Sequence, residues 1–191
     1  MGKDTAYEIQ KTAIGLFQAS GYARVTVRDI CEAAGITKST FYYHFPSKEA
    51  ILTDFYKYTA ALPPETLHKL ATSDNCWEKL WACTEPMVDW TISAGAPILS
   101  QVFIFNIQNH KNAFTTDNER EYAKVFTGIV KKGQEEGYFY NQSAPESIYA
   151  NLINIILGIA VQWCIEEGRF DEKRAIRESV ASMLSVREEF R

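Results

Sequence analysis

Helix-start signals recur along the whole chain, and nothing in it alternates in the two-residue rhythm of a strand. Thr5-x-x-Glu8, Thr26-x-x-Asp29, Thr116-x-x-Glu119 and Ser143-x-x-Glu146 each place a hydroxyl three residues ahead of an acid. That pairing closes two free backbone N–H groups at a helix start. Thr37, Ser47 and Asp171 are single caps of the same kind. Gly21, Gly35, Gly137 and Gly168 sit where helices end, since glycine takes the left-handed conformation cheaply. Pro46 and Pro63-Pro64 cannot continue a helix. Between these points apolar residues fall at helical spacing: Ala6, Ile9, Ala13, Leu16 and Phe17 early, Ile176, Val180, Met183 and Leu184 late. The pattern predicts an all-α chain of about nine helices, with a three-helix N-terminal head and a larger helical body.

The body contains a helix that is apolar over most of its circumference. From about Asn75 to Ala94, the residues Trp77, Leu80, Trp81, Cys83, Thr84, Met87, Val88, Trp90 and Ile92 leave only a strip of Glu78, Glu85, Asp89 and Ser93 polar. Such a helix belongs in the middle of a bundle, with Pro86 expected to kink it. Two charge-free runs, Trp90 to Asn109 and Ser147 to Ile165, approach the length of a membrane span. Their amides (Gln101, Asn106 and Gln108; Asn151, Asn154 and Gln162) are costly in lipid, so both read as helices buried in protein and no membrane partner is expected.

Composition excludes several classes. Of 191 residues, 46% are hydrophobic, which is enough for a sizeable core. Lys and Arg number 20 against 24 Asp and Glu, for a net charge of −4, which does not fit a uniformly basic nucleic-acid coat. Cys31, Cys76, Cys83 and Cys164 are widely and irregularly spaced, so neither a zinc site nor a disulfide framework is expected. The first ten residues are polar and charged, unlike a signal peptide, and a reducing cytoplasm is the expected location. No GxSxG, HExxH or glycine-rich phosphate loop is present, and His44, His68 and His110 pair with no nucleophile. No catalytic residue, metal or cofactor is expected.

The informative stretch runs from Thr26 to Leu52. Two short helices joined at Gly35 have the spacing of a helix-turn-helix. Val27, Ile30, Ala33, Ile36, Phe41 and Phe45 can pack inward against Leu16, Phe17 and Tyr22. Facing out on the second helix are Thr37, Lys38, Ser39, Thr40, Tyr42, Tyr43 and His44, a set of hydroxyls, rings and one cation suited to base edges and phosphates. Tyr42 and Tyr43 point about 100° apart and cannot share one buried face. Arg28 and Lys48 flank the set.

The run Gly35-Ile36-Thr37-Lys38-Ser39-Thr40-Phe41-Tyr42-Tyr43-His44-Phe45-Pro46-Ser47-Lys48-Glu49-Ala50-Ile51-Leu52 resembles the DNA-binding signature of the TetR family of bacterial transcriptional regulators. The upstream Phe17, Gly21, Tyr22, Val25, Thr26, Val27, Ile30, Ala34 and Gly35 fit the same pattern, so the resemblance covers about the first 60 residues. It implies that Thr37, Lys38, Ser39 and Thr40 enter the major groove, and that Tyr43 and His44 reach bases or backbone beside them. Tyr42 and Lys48 would hold phosphates, helped by Arg28 and the Thr26 cap. Residues 1–60 hold seven Lys or Arg and six Asp or Glu, so the grip would rest on a few placed cations and on two subunits acting together.

For the rest of the chain the resemblance implies a ligand-binding and dimerisation domain, residues 48–191 against a head of 1–47. Candidate effector contacts are Trp77, Trp81, Glu85, Val88, Asp89, Gln101, Phe103, Phe105, Asn106, Tyr122, Phe126 and Trp163, with Glu85 and Asp89 able to favour a cationic ligand. The last two helices resemble the family's dimerisation pair, with Ile148, Leu152, Ile155, Ile156, Ile159, Trp163, Ile176, Val180 and Met183 as candidate contacts. The implied protein is a cytoplasmic, nucleoid-associated homodimer. It would repress from a pseudo-palindromic DNA operator and be released by a small, largely hydrophobic effector. The alternative is a helical ligand-binding or interaction protein that has lost DNA binding.

Overall fold

The computed structural model describes residues 2–53, 62–110 and 119–190. The chain is all-α, as predicted, with ten helices among the described residues: α1 (Gly2–Ser20), α2 (Val27–Ala34), α3 (Lys38–His44), α4 (Lys48–Thr53), α5 (Pro64–Thr72), α6 (Cys76–Ala94), α7 (Ala96–Asn109), α8 (Glu119–Glu135), α9 (Pro145–Ile165) and α10 (Glu172–Leu184). The helix beyond the nine expected is α5, which restarts after Pro63 with Pro64 in its first turn. Most caps hold. Asp171 Oδ1 accepts from Arg174 N and Ser47 Oγ from Ala50 N, and Asn75, not read as a cap, accepts at Oδ1 from the N–H groups of Trp77 and Glu78. Two do not. Helix α1 already begins at Gly2, upstream of Thr5, and α9 begins at Pro145 after Ala144, with no side-chain cap from Ser143. The proline pre-sets the helical φ, so the hydroxyl is not needed. Thr116 lies outside the described residues.

The chain divides into two compact units, Met1–Tyr58 with Ala94–Thr116, and Thr59–Ser93 with Asp117–Arg191. The compact units therefore divide the chain differently from a cut at residue 47: α4 and α7 pack with the head, both against each other and, for α7, against α1. Gln10 Nε2 donates to Ile51 O and Gln18 Nε2 to Ala94 O within that unit.

In the second unit α8 and α10 both pack on α9. The core there is Trp77, Leu80, Trp81 and Val88 of α6, Phe126 and Val130 of α8, Ile148, Leu152 and Ile156 of α9, and Ile176, Val180 and Leu184 of α10. Helix α6 runs through Pro86, which lacks the N–H that the Ala82 carbonyl would use. Thr66 Oγ1 of α5 supplies the missing donor at 3.1 Å. Helix α9 is long and apolar enough to cross a bilayer by length and composition, yet its inner stripe is fully buried in this core.

Candidate nucleic-acid interface

The head is built by its caps. Thr26 Oγ1 accepts from Asp29 N while Asp29 Oδ2 accepts from both Thr26 N (2.8 Å) and Thr26 Oγ1 (2.7 Å), closing both ends of the capping box. The Thr26 hydroxyl holds the Asp29 carboxyl below its usual range. Helix α2 ends at Gly35 in the left-handed conformation (φ 64°, ψ 33°), and the next residue bonds back from Ile36 N to Cys31 O. That is the turn that aims α3. Phe41 and Phe45 anchor α3 with ring centroids 6.1 Å apart and no appreciable exposure, and Ile30 and Phe17 of the same unit are buried as fully.

What α3 leaves outside follows the sequence reading. Lys38 and Ser39 are exposed, and Tyr42 and Tyr43 are 53% and 84% exposed. His44 is half-buried, edge-on to Tyr43 at 5.0 Å. Two residues differ in kind from the rest. Thr37 Oγ1 accepts from Thr40 N and lies 2.9 Å from Thr40 Oγ1, so these two hydroxyls are engaged with each other as a cap. Arg28 is exposed and ion-paired with Glu32 at 3.5 Å.

Lys48 departs furthest from expectation. Its Nζ points inward, donating to Tyr22 O at 2.8 Å and Val25 O at 2.9 Å, and sits 4.1 Å above the centre of the Tyr22 ring. Two of its three donors are therefore spent on the protein, and one remains for a phosphate. Beside it Tyr22 Oη donates to Glu49 Oε1 at 3.1 Å. Burial, reinforced by the charge on Glu49, pushes the Tyr22 phenol far above its ordinary value. Partial burial acts to raise the Glu49 carboxyl, but hydrogen bonds from its own backbone, Ser47 and Tyr22 outweigh it and hold the group below its usual range. The clamp of Lys48, Glu49 and Tyr22 fastens the start of α4 to the turn between α1 and α2. The sequence places Tyr22 in the core of the head, and no spacing signal joins residues 27 apart.

The expected effector residues are brought together only in part. Trp77, Trp81, Val88 and Phe126 share the core of the second unit, with Tyr122 packed against it. Gln101, Phe103, Phe105 and Asn106 lie on α7, in the other unit. Glu85 and Asp89 already share a cation of the protein itself, Lys173, whose Nζ lies 2.7 and 2.9 Å from them. Burial raises the thiols of Cys76 and Cys83, the latter to about 11, which keeps them protonated.

The dimer candidates need the larger correction. Ile148, Leu152, Ile156, Ile176 and Val180 are fully or nearly fully buried within their own protomer and offer nothing to a partner. Trp163 is also buried, its Nε1 donating to Phe170 O. Ile155, Ile159 and Met183 stay partly exposed beside them. A helix apolar on every side carries no sign of which stripe is core. The outer stripe of α9 is instead Ala150, Asn154, Gly158, Val161 and Ile165, without a charge, and Ile165 is 68% exposed. On α10, Ala175, Glu178, Ser179, Ser182 and Met183 line a shallow open groove.

Residues 9–54 match the family model described as bacterial regulatory proteins, tetR family. Over 164 residues the chain is 26% identical to the HTH-type transcriptional repressor KstR2 of Rhodococcus jostii, covering 82% of this chain and 78% of that protein. Among solved structures it is similar to Thermus thermophilus FadR, a TetR-family repressor in complex with lauroyl-CoA, with TM-score 0.63, 20% identity and 96% of each chain covered. It is also similar to AibR in complex with isovaleryl coenzyme A and operator DNA, with TM-score 0.57, 20% identity, and 96% of this chain and all of that one covered.

Proposed function

We propose that this chain, as a member of the tetR family of bacterial regulatory proteins, is a ligand-responsive transcriptional repressor that binds a pseudo-palindromic operator as a homodimer. The observation that carries the reading is the exposed face of α3. Lys38, Ser39, Tyr42 and Tyr43 stand clear on a helix whose opposite side is locked by Phe41 and Phe45. In this reading Lys38 and Ser39 contact base edges, Tyr42, Tyr43 and His44 the neighbouring backbone or bases, and Arg28 and the third donor of Lys48 the phosphates. Thr26, Thr37 and Thr40 set the helix ends at the groove. The protein acts in the cytoplasm, on the nucleoid.

The outer stripe of α9 and the groove of α10 form the dimer contact in this proposal. This face of α9 carries no charge and ends in the exposed Val161 and Ile165, which suits a self-complementary contact. Two such faces meeting across a two-fold axis would set two α3 helices one DNA turn apart. The second unit binds a small, largely hydrophobic effector, and acyl compounds are the first candidates because two similar structures hold lauroyl-CoA and isovaleryl coenzyme A. Selection of bound sequences from a random duplex pool at two salt concentrations tests the reading. A recovered pseudo-palindrome whose binding falls steeply with salt supports it. No enrichment with or without acyl compounds overturns it in favour of a helical protein that has lost DNA binding.

A further inference from the structure

Three groups of Tyr22 hold two neighbouring residues of opposite charge. Its carbonyl accepts from Lys48 Nζ at 2.8 Å, its ring centre lies 4.1 Å from the same ammonium, and its phenol donates to Glu49 Oε1 at 3.1 Å. Val25 O takes a second Lys48 donor at 2.9 Å. Tyr22 is itself fixed, half-buried and edge-on to Phe17 with ring centroids 4.9 Å apart. Lys48 and Glu49 open α4, and their charged ends converge on this one ring. Among the described residues the acid is bonded to the phenol and the base to the carbonyls, and the two are not paired with each other.

That separation bears on DNA. An ammonium has three donors, and two of them are spent here. A carboxylate one residue away is a competitor with phosphate for the third. Were Glu49 to take it, each head would neutralise one phosphate fewer and release fewer counter-ions on binding. The phenol removes the competitor, because a neutral donor satisfies the acid without cancelling the charge beside it. The ring and the carbonyls meanwhile fix the ammonium before DNA arrives, so less side-chain freedom is lost on contact. Resting on the proposed operator-binding role of the head, we propose that Tyr22 is a positioning residue for the DNA contact, holding Lys48 with one donor free and keeping Glu49 from neutralising it. Tyr22 acts through Lys48 and touches no DNA in this role.

The test uses the full chain and the duplex recovered by selection, with binding followed by fluorescence polarisation at several salt concentrations. Tyr22→Phe removes the phenol and keeps the ring, the backbone carbonyl and the contact with Phe17. It is expected to weaken duplex binding about three- to tenfold, the worth of one competing exposed ion pair in each of two heads. The slope of log K on log salt is expected to fall by up to about 0.9 per head. In a Glu49→Gln protein, which has no acid to release, the same Tyr22→Phe change is expected to alter affinity less than about twofold and to leave the slope unchanged. A phenol that only braces the fold would instead cost the same with and without Glu49, and would move the melting temperature but not the salt slope. Unchanged binding by Tyr22→Phe, an equal loss in both proteins, or a loss at constant slope each overturns the proposal. If the parent binds the duplex while the variants behave in one of those ways, only the role of Tyr22 falls. If the parent binds no duplex, the repressor reading falls and this role with it.

Discussion

Replacing Lys48 by Met keeps the aliphatic stem and removes the ammonium, and two effects then separate by magnitude. The ammonium donates two bonds to backbone carbonyls, at 2.8 and 2.9 Å, from a half-buried position. A hydrogen bond from a charged donor contributes about 1.5–3 kcal/mol when dry. Halving this for partial exposure gives about 1 kcal/mol each, and the cation over the Tyr22 ring adds about 0.5–1 kcal/mol. The expected loss of stability is about 2–3 kcal/mol, read as a lowered urea midpoint at unchanged slope. The second effect is on DNA. If the remaining donor of each Lys48 neutralises one phosphate, the salt dependence of log K falls by about 0.9 per subunit, near 2 for a dimer. Stability within about 0.5 kcal/mol of the parent would refute the clamp. A full loss of stability with an unaltered salt slope would refute the phosphate contact while leaving the clamp in place.

Two glycines of α8 are expected to respond in opposite directions to alanine. Gly128 has open space around it, so Gly128→Ala gains about 0.5–1 kcal/mol in a denaturant titration, whereas a Cβ at Gly133 overlaps the buried Phe139 ring and Gly133→Ala loses about 1–3 kcal/mol despite its better helix propensity. Glu172 is buried with neither carboxylate oxygen bonded, and burial pushes its pKa from 4.5 to about 7. The folded state holds this proton when the unfolded chain has released it, so stability declines as pH rises from 4.5 through 7; Glu172→Gln is expected to remove a decline of about 3 kcal/mol from the stability–pH profile. Thr66→Val leaves the Ala82 carbonyl opposite Pro86 without a donor and is expected to lower the melting temperature by about 2–6 °C, for about 1–2 kcal/mol.

The parts of this fold that were legible in the sequence are those set by neighbours in the chain. The capping box at Thr26 and Asp29, the turn at Gly35 and the cap at Thr37 are closed within three or four residues, and each appears as read. The separation of Phe41 and Phe45 from Tyr42 and Tyr43 follows from 100° per residue alone. What escaped depends on pairing across the chain. Lys48 reads as a phosphate contact alone until the carbonyls of residues 22 and 25 are seen to take two of its three donors. Glu85 and Asp89 read as a free acidic strip until Lys173, 84 residues beyond Asp89, lies against them. The inner and outer stripes of α9 are equally free of charge, so hydropathy alone assigned Ile148, Leu152 and Ile156 to a partner when α8 and α10 already cover them.

These pairings also change what the head can bring to a DNA backbone. Residues 1–60 carry a net charge of only +1. Within that small excess Arg28 is shared with Glu32, Arg24 donates through Nε to Ser20 O, and Lys48 spends two donors inside the fold. Counter-ion release scales with the number of phosphates neutralised, so one head of this kind gains little from charge and binds weakly alone. In the proposed contact, the exposed hydroxyls and rings of α3 would supply a larger share of the energy, and they would lose contact geometry quickly when the helix is displaced. In the proposed homodimer, two heads would restore affinity through effective concentration, but only while their spacing matches the half-sites. On the proposed dimer, weak single heads would make operator binding steeply dependent on the spacing of the two heads. A ligand needs to shift that geometry only a little to release such a protein from DNA, which a strongly basic head would resist.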